Sequence, residues 1–152
     1  MLSSQWDVRA PLARCWDVLA DPRMTWPRWW QGVTATDVEP TADGLVGSAA
    51  TLTFRAPLGY ALRVRLVVDG ADRNRWVRVR AAGDLTGSGL VHLDGLAPAR
   101  TLIRVRWDVS TTRSWMNAAA PVLRPLFVAS HAAVMRAGER GLGSYLAAGP
   151  AL

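Results

Sequence analysis

The sequence has no lysine; all 18 basic side chains are arginine. Schiff-base and lysine-base chemistry are therefore excluded, because both need an amine. The single cysteine, Cys15, has no partner in the chain, so no disulfide framework holds the fold. The two histidines, His92 and His131, and the scattered carboxylates offer no ligand pair at a recognisable metal spacing. No metal or other cofactor is expected. A Gly-rich phosphate loop, a Gly-x-Ser-x-Gly elbow and paired catalytic carboxylates are all missing. Uninterrupted apolar runs fall short of the ~20 residues that cross a bilayer. Asp7, Arg9, Arg14 and Asp17 break up the N-terminal segment, which lacks the apolar run of a signal peptide. A cytoplasmic location is expected.

What is present suits a single core. The chain has 152 residues, 50% hydrophobic and 20% charged, which predicts one domain over residues 1–152. The net charge of +6 rests wholly on arginine. The abundance of Ala, Arg, Gly and Val matches a GC-rich coding sequence, which accounts for part of that arginine content.

Hydrophobic periodicity divides the chain into three parts. Ser3–Arg9 reads as a short strand. Pro11 opens a helix to Ala20 with Leu12, Cys15, Trp16 and Leu19 on one face. Asp21-Pro22 reads as the cap of a second short helix carrying Met24, Trp26, Trp29 and Trp30, which Gly32 ends. From Val33 the period becomes two. Strands are predicted over 34–39, 49–55, 62–68, 76–80, 90–94 and 101–109, with turns at 41–44, 57–60 and 69–74. Ala50, Leu52 and Phe54, then Leu62, Val64, Leu66 and Val68, then Val77 and Val79, and finally Ile103, Val105, Trp107 and Val109 mark a buried face. Arg63, Arg65, Arg78, Arg80, Arg104 and Arg106 mark a wet one. The facing of 90–94 is ambiguous. From Ser114 to about Leu146 the period is helical again, with Phe127, His131, Val134, Gly138, Leu142 and Tyr145 on one stripe. An interior proline costs about 3 kcal/mol, so a break or a helix start is expected near Pro121.

This order of elements resembles the START-like, or Bet v 1-like, helix-grip superfamily, whose bacterial members include polyketide cyclase/dehydrase and lipid-transport proteins. The resemblance is carried by Trp6-Asp7-Val8 leading into Ala10-Pro11, by Cys15-Trp16-Asp17-Val18-Leu19, and by Asp21-Pro22 and Trp29-Trp30. Gly83-Asp84-Leu85-Thr86-Gly87, Thr101-Leu102-Ile103-Arg104-Val105, Ser130-His131, Val134-Met135-Arg136 and Gly138-Glu139-Arg140-Gly141-Leu142 complete it. It covers nearly the whole chain by pattern. It implies an α+β fold in which a curved antiparallel sheet wraps a long C-terminal helix, with two short helices after the first strand and a cavity between sheet and helix. Such folds share architecture more than chemistry, so function by this route is analogy.

The expected cavity wall is Leu52, Phe54, Leu66, Val79, Val105, Trp107, Phe127, His131, Val134 and Met135, with Trp30 at one end. The leading expectation is a binding protein for an apolar small molecule such as a lipid or polyketide, held by burial. His131 is the best candidate for a polar or catalytic role, since a neutral imidazole can accept a hydrogen bond or act as a base. Its plain alternative is a packing histidine. The rival expectation is an enzyme of the polyketide cyclase or dehydratase type. It would draw on His131 and on Tyr145, Asn117 or His92, and this poverty of inward polar groups favours binding. Asp84, between Gly83 and Gly87, is explained by a turn. A third expectation is weak contact with an anionic membrane surface through the arginine face. No aromatics are interleaved there, so nucleic acid is not expected as a partner. Gly138, Gly141 and Gly143 are unusual in a helix and suggest either close approach or a fraying last turn.

Overall fold

In the computed structural model, which describes residues 2–57 and 59–148, the chain runs β1 (Leu2–Val8), α1 (Leu12–Leu19), α2 (Trp26–Trp29), β2 (Val33–Thr41), β3 (Gly44–Arg55), β4 (Ala61–Asp72), β5 (Trp76–Gly83), β6 (Leu85–Ala97), β7 (Arg100–Thr111) and α3 (Ser114–Ala147). The strands form one seven-stranded antiparallel sheet in the order β1-β7-β6-β5-β4-β3-β2. Six of them follow one another as a meander, and β1 closes on the last. Short turns permit this, because antiparallel neighbours need no crossover.

The period-two alternation sets the register. Val64 and Leu66 on β4, Val77 and Ala81 on β5, Val91 and Leu93 on β6, and Ile103 and Val105 on β7 all point into the core. Trp6 and Val8 of β1 join them, opposite Ile103 and Thr101 of β7. Register shifts between Val68 and Gly70 and between Gly95 and Ala97 add bulges, which bend and twist strands. The curved sheet closes over α3.

Two local expectations are corrected. The second helix does not start at Asp21-Pro22. The Asp21 carboxylate accepts the Arg23 backbone N–H at 2.9 Å and so closes a turn, and α2 begins only at Trp26 with Pro27 in its first turn. The long helix does not break at Pro121; α3 passes through both Pro121 and Pro125. The prolines leave the carbonyls of Asn117 and Pro121 without their usual i+4 donors, but both residues are exposed, so water can reach them. By length and composition alone α3 is also apolar enough to cross a membrane, with a mean hydropathy of 1.3 over its best window. Ser, His, Pro and Arg interrupt its apolar run without much lowering the average.

One stripe of α3 packs inward: Met116, Ser130, Met135, Gly138, Leu142 and Leu146 are buried. Around Gly138 and Gly141 the helix comes very close to the tryptophans. A Cβ on Gly138 would sit 2.7 Å from both the Trp30 and the Trp6 rings, and one on Gly141 would fall on the Trp29 carbonyl oxygen. These glycines make room for β1 and α2. A Cβ on Gly143 would touch nothing, so no close approach requires glycine there.

Candidate functional site

The main cavity, about 240 Å³, lies between the inner sheet face and the middle of α3. Of the residues expected to line it, Trp30, Phe54, Leu66, Trp107, Phe127, His131, Val134 and Met135 do so. Three others sit elsewhere. Leu52 (0% exposed) and Val105 (4% exposed) are packed in the solid core, and Val79 lines a separate smaller cavity of about 60 Å³. The smaller cavity is enclosed by the α1–α2 connection and the inner faces of β3 to β7.

Among the described residues, the walls of the main cavity are apolar apart from Tyr60, Thr111, Ser130 and His131, and no charged side chain contributes to them. Helical spacing explains part of this set. Phe127, Ser130, His131, Val134 and Met135 follow the i, i+3, i+4, i+7, i+8 pattern that places residues on one helix face. Parity explains the rest. Tyr60 continues Leu62, Val64 and Leu66 backward by one step, and Thr111 continues Trp107 and Val109 forward. The sequence reading stopped one step short at both ends, since Tyr60 looks like part of a turn. Indeed, its carbonyl closes that turn by accepting the Ala56 N–H.

Trp30 is fixed in place. Its Nε1 donates to the Val134 carbonyl at 2.8 Å, and its ring stacks on Trp29 at 5.6 Å and meets Phe54 edge-on at 6.0 Å. Trp26 and Trp29 are buried behind it, and Trp26 borders only the smaller cavity. At the other end Tyr60, Trp115 and Phe127 meet edge to face, with centroids 6.0–6.4 Å apart. Trp115 is 48% exposed, so this trio stands between cavity and solvent.

Among the described residues, His131 is the only titratable side chain in the cavity wall besides Tyr60. Its Nε2 is buried and has no hydrogen-bond partner among the described residues. Burial alone pushes its pKa below the ordinary 6.5, with no charged neighbour to oppose the shift. The imidazole is therefore neutral at pH 7 and carries an unpartnered polar atom within a largely apolar wall.

The other polar candidates lie away from the cavity. His92 is on the outer sheet face, paired in register with Trp76 and Arg104, because Val91 and Leu93 take the inward positions. Asn117 donates to the Thr111 carbonyl at the start of α3. Tyr145 packs against the core beyond the cavity. Asp84 does more than make a turn: it accepts the Arg63 N–H and the Arg113 guanidinium, both at 2.9 Å, and so ties β4 to the start of α3. Cys15 is fully buried, and burial pushes its thiol pKa up.

The arginine face divides into two groups, since β6 separates β7 from β5. Much of it is paired: Arg65 with Glu39, Arg78 and Arg80 with Asp69, and Arg104 with Asp94. Among the described residues no three potential metal ligands come together.

No protein-family model matches the sequence, and no curated protein matches it. Solved structures do resemble it. A START superfamily protein from Mycobacterium smegmatis superposes with a TM-score of 0.76 at 16% identity, covering 97% of each chain. The Zhui aromatase/cyclase from a Streptomyces species gives 0.74 at 18% identity over 99% of this chain and 98% of its own. Norcoclaurine synthase from Thalictrum flavum, in complex with dopamine and hydroxybenzaldehyde, gives 0.63 at 15% identity over 99% and 88%. With its seven-stranded antiparallel sheet closed over a long C-terminal helix, the chain has the START-like, Bet v 1-like helix-grip fold.

Proposed function

We propose that the protein binds a neutral, largely apolar small molecule in the main cavity, with His131 Nε2 hydrogen-bonded to the ligand's polar group. The observation that carries this reading is a buried, unpartnered Nε2 on a residue of a cavity wall that is mostly apolar and, among the described residues, uncharged. Apolar burial supplies most of the affinity, at roughly 25 cal/mol per Å². An ionised ligand would lose its hydration and gain no counter-charge there, which favours a neutral one. The fold neighbours support small-molecule binding in general, since they include a synthase in complex with dopamine and hydroxybenzaldehyde.

Native mass spectrometry of protein purified without added ligand, followed by extraction, tests this directly. A stoichiometric neutral apolar molecule is expected. His131→Gln and His131→Phe should weaken its rebinding by about 3- to 10-fold, the worth of one net hydrogen bond. Unchanged affinity in both variants would refute the role given to His131.

One observation favours a second, catalytic reading. A neutral imidazole in a water-poor cavity can take a proton from an enolisable substrate, and one fold neighbour is an aromatase/cyclase. Turnover of a poly-β-keto substrate, lost in His131→Gln with binding retained, would establish it over simple carriage.

A further inference from the structure

The two cavities lie one after the other along the same inner sheet face. On β4, Leu62 and Val64 line the larger cavity and Val68 the smaller. On β6, Leu85 lines the larger, and Gly89 and Val91 the smaller. Leu66 and Trp107 line both, so they form the boundary.

Trp107 owes its position to packing. Gly89 is its register partner on β6, and a Cβ there would lie 2.6 Å from the indole, so the ring rests on bare backbone. Trp26, Trp29 and Trp30 each donate an Nε1 hydrogen bond. Trp107 makes no side-chain hydrogen bond and no ring–ring contact among the described residues, and it is only partly buried. Packing alone holds it.

We propose that Trp107, together with Leu66, is a partition that limits the length of ligand the protein accepts. The inference rests on the binding reading above and adds the shape of the ligand: a neutral polar end, such as a hydroxyl, at His131 and a linear apolar tail directed at Trp107. A tail that outgrows the main cavity must displace the indole before it gains the smaller one. Each methylene accommodated short of the partition should raise affinity about fourfold. Beyond it the gain should stop.

The test is a series of linear 1-alkanols from hexanol to hexadecanol, titrated by calorimetry against the wild type, Trp107→Leu and Leu66→Ala. For the wild type, affinity should climb with length and then level off or fall. Either variant should move that break to longer chains by several carbons, whatever change in short-chain affinity comes from altering the cavity wall itself. Two variants are used so that the measurement survives a folding failure of one. Binding throughout with an unmoved break in a folded variant would overturn the partition and leave the binding reading intact. Failure of the wild type to bind any member would overturn both.

Discussion

At the scale of single residues, His131 links the cavity to acid stability. Its folded pKa lies below the ordinary 6.5 because burial disfavours the charged ring. The unfolded chain therefore takes up the proton first as pH falls. Stability from this group is complete above about pH 6.5 and declines below it, until the folded imidazole is protonated too. Asp84 acts in a lower window. The Arg113 hydrogen bond, then the Arg63 N–H, hold its pKa below the ordinary 3.8, so its contribution is present above that value and lost as pH falls through the folded one. Urea unfolding at a series of pH values should separate the two. His131→Gln should flatten the decline that begins near pH 6.5 and leave the steeper loss at carboxylate pH in place. An unchanged profile would mean that the ring is hydrated in the native state. Replacing Asp84 by Ala should cost about 1–2 kcal/mol, since the ion pair is partly exposed and screened but two donors lose their acceptor.

At the scale of elements, α3 offers a contrast within one substitution type. Alanine is the better helix former by about 1 kcal/mol. Gly143→Ala should therefore stabilise by up to that amount, since nothing crowds the new methyl. Gly141→Ala should instead cost about 2–3 kcal/mol, because the methyl collides with the Trp29 carbonyl and α2 or the helix must shift. Thermal melts of the two variants, moving in opposite directions, would show that the glycines differ by neighbour and not by propensity. Elements of this kind were readable from the sequence where a strong period governs them. The alternation of Leu62, Val64 and Leu66, or of Ile103, Val105 and Trp107, fixes a face, because a one-residue slip would bury arginines. Legibility ended where tertiary contact decides. Nothing local says that Leu52 and Val105 fill solid core while Phe54 and Trp107 border space, since all four share one parity. Nor can Pro121 reveal that the carbonyl it orphans stays within reach of water. The partner of Gly141 lies more than a hundred residues away, at Trp29.

At the scale of the whole molecule, α3 is two helices in one. From Met135 to Leu146 its stripe is locked against the Trp6, Trp29 and Trp30 cluster, with Leu142 fully buried. From Ser114 to Ala129 only Met116 is buried, while Trp115, Val122, Leu126 and Val128 are exposed, Val122 at 80%. That same half contains both prolines and so lacks two backbone hydrogen bonds. Local opening free energy follows buried contacts and intact hydrogen bonds. The N-terminal half should therefore open without global unfolding, whereas the C-terminal half opens only with the core. Because Met116 and Phe127 line the cavity, such opening also exposes the ligand site. Amide hydrogen exchange should find 117–129 exchanging well ahead of 135–146 in the free protein. An alkanol present at about a hundred times its dissociation constant adds roughly 2.7 kcal/mol to the closed state. Exchange in 117–129 should then slow by about a hundredfold, if opening of this half and release of the ligand are one event. Equal slowing across the whole helix would instead mean that the ligand leaves only by global unfolding, and protection confined to 135–146 would place the ligand outside the cavity described here.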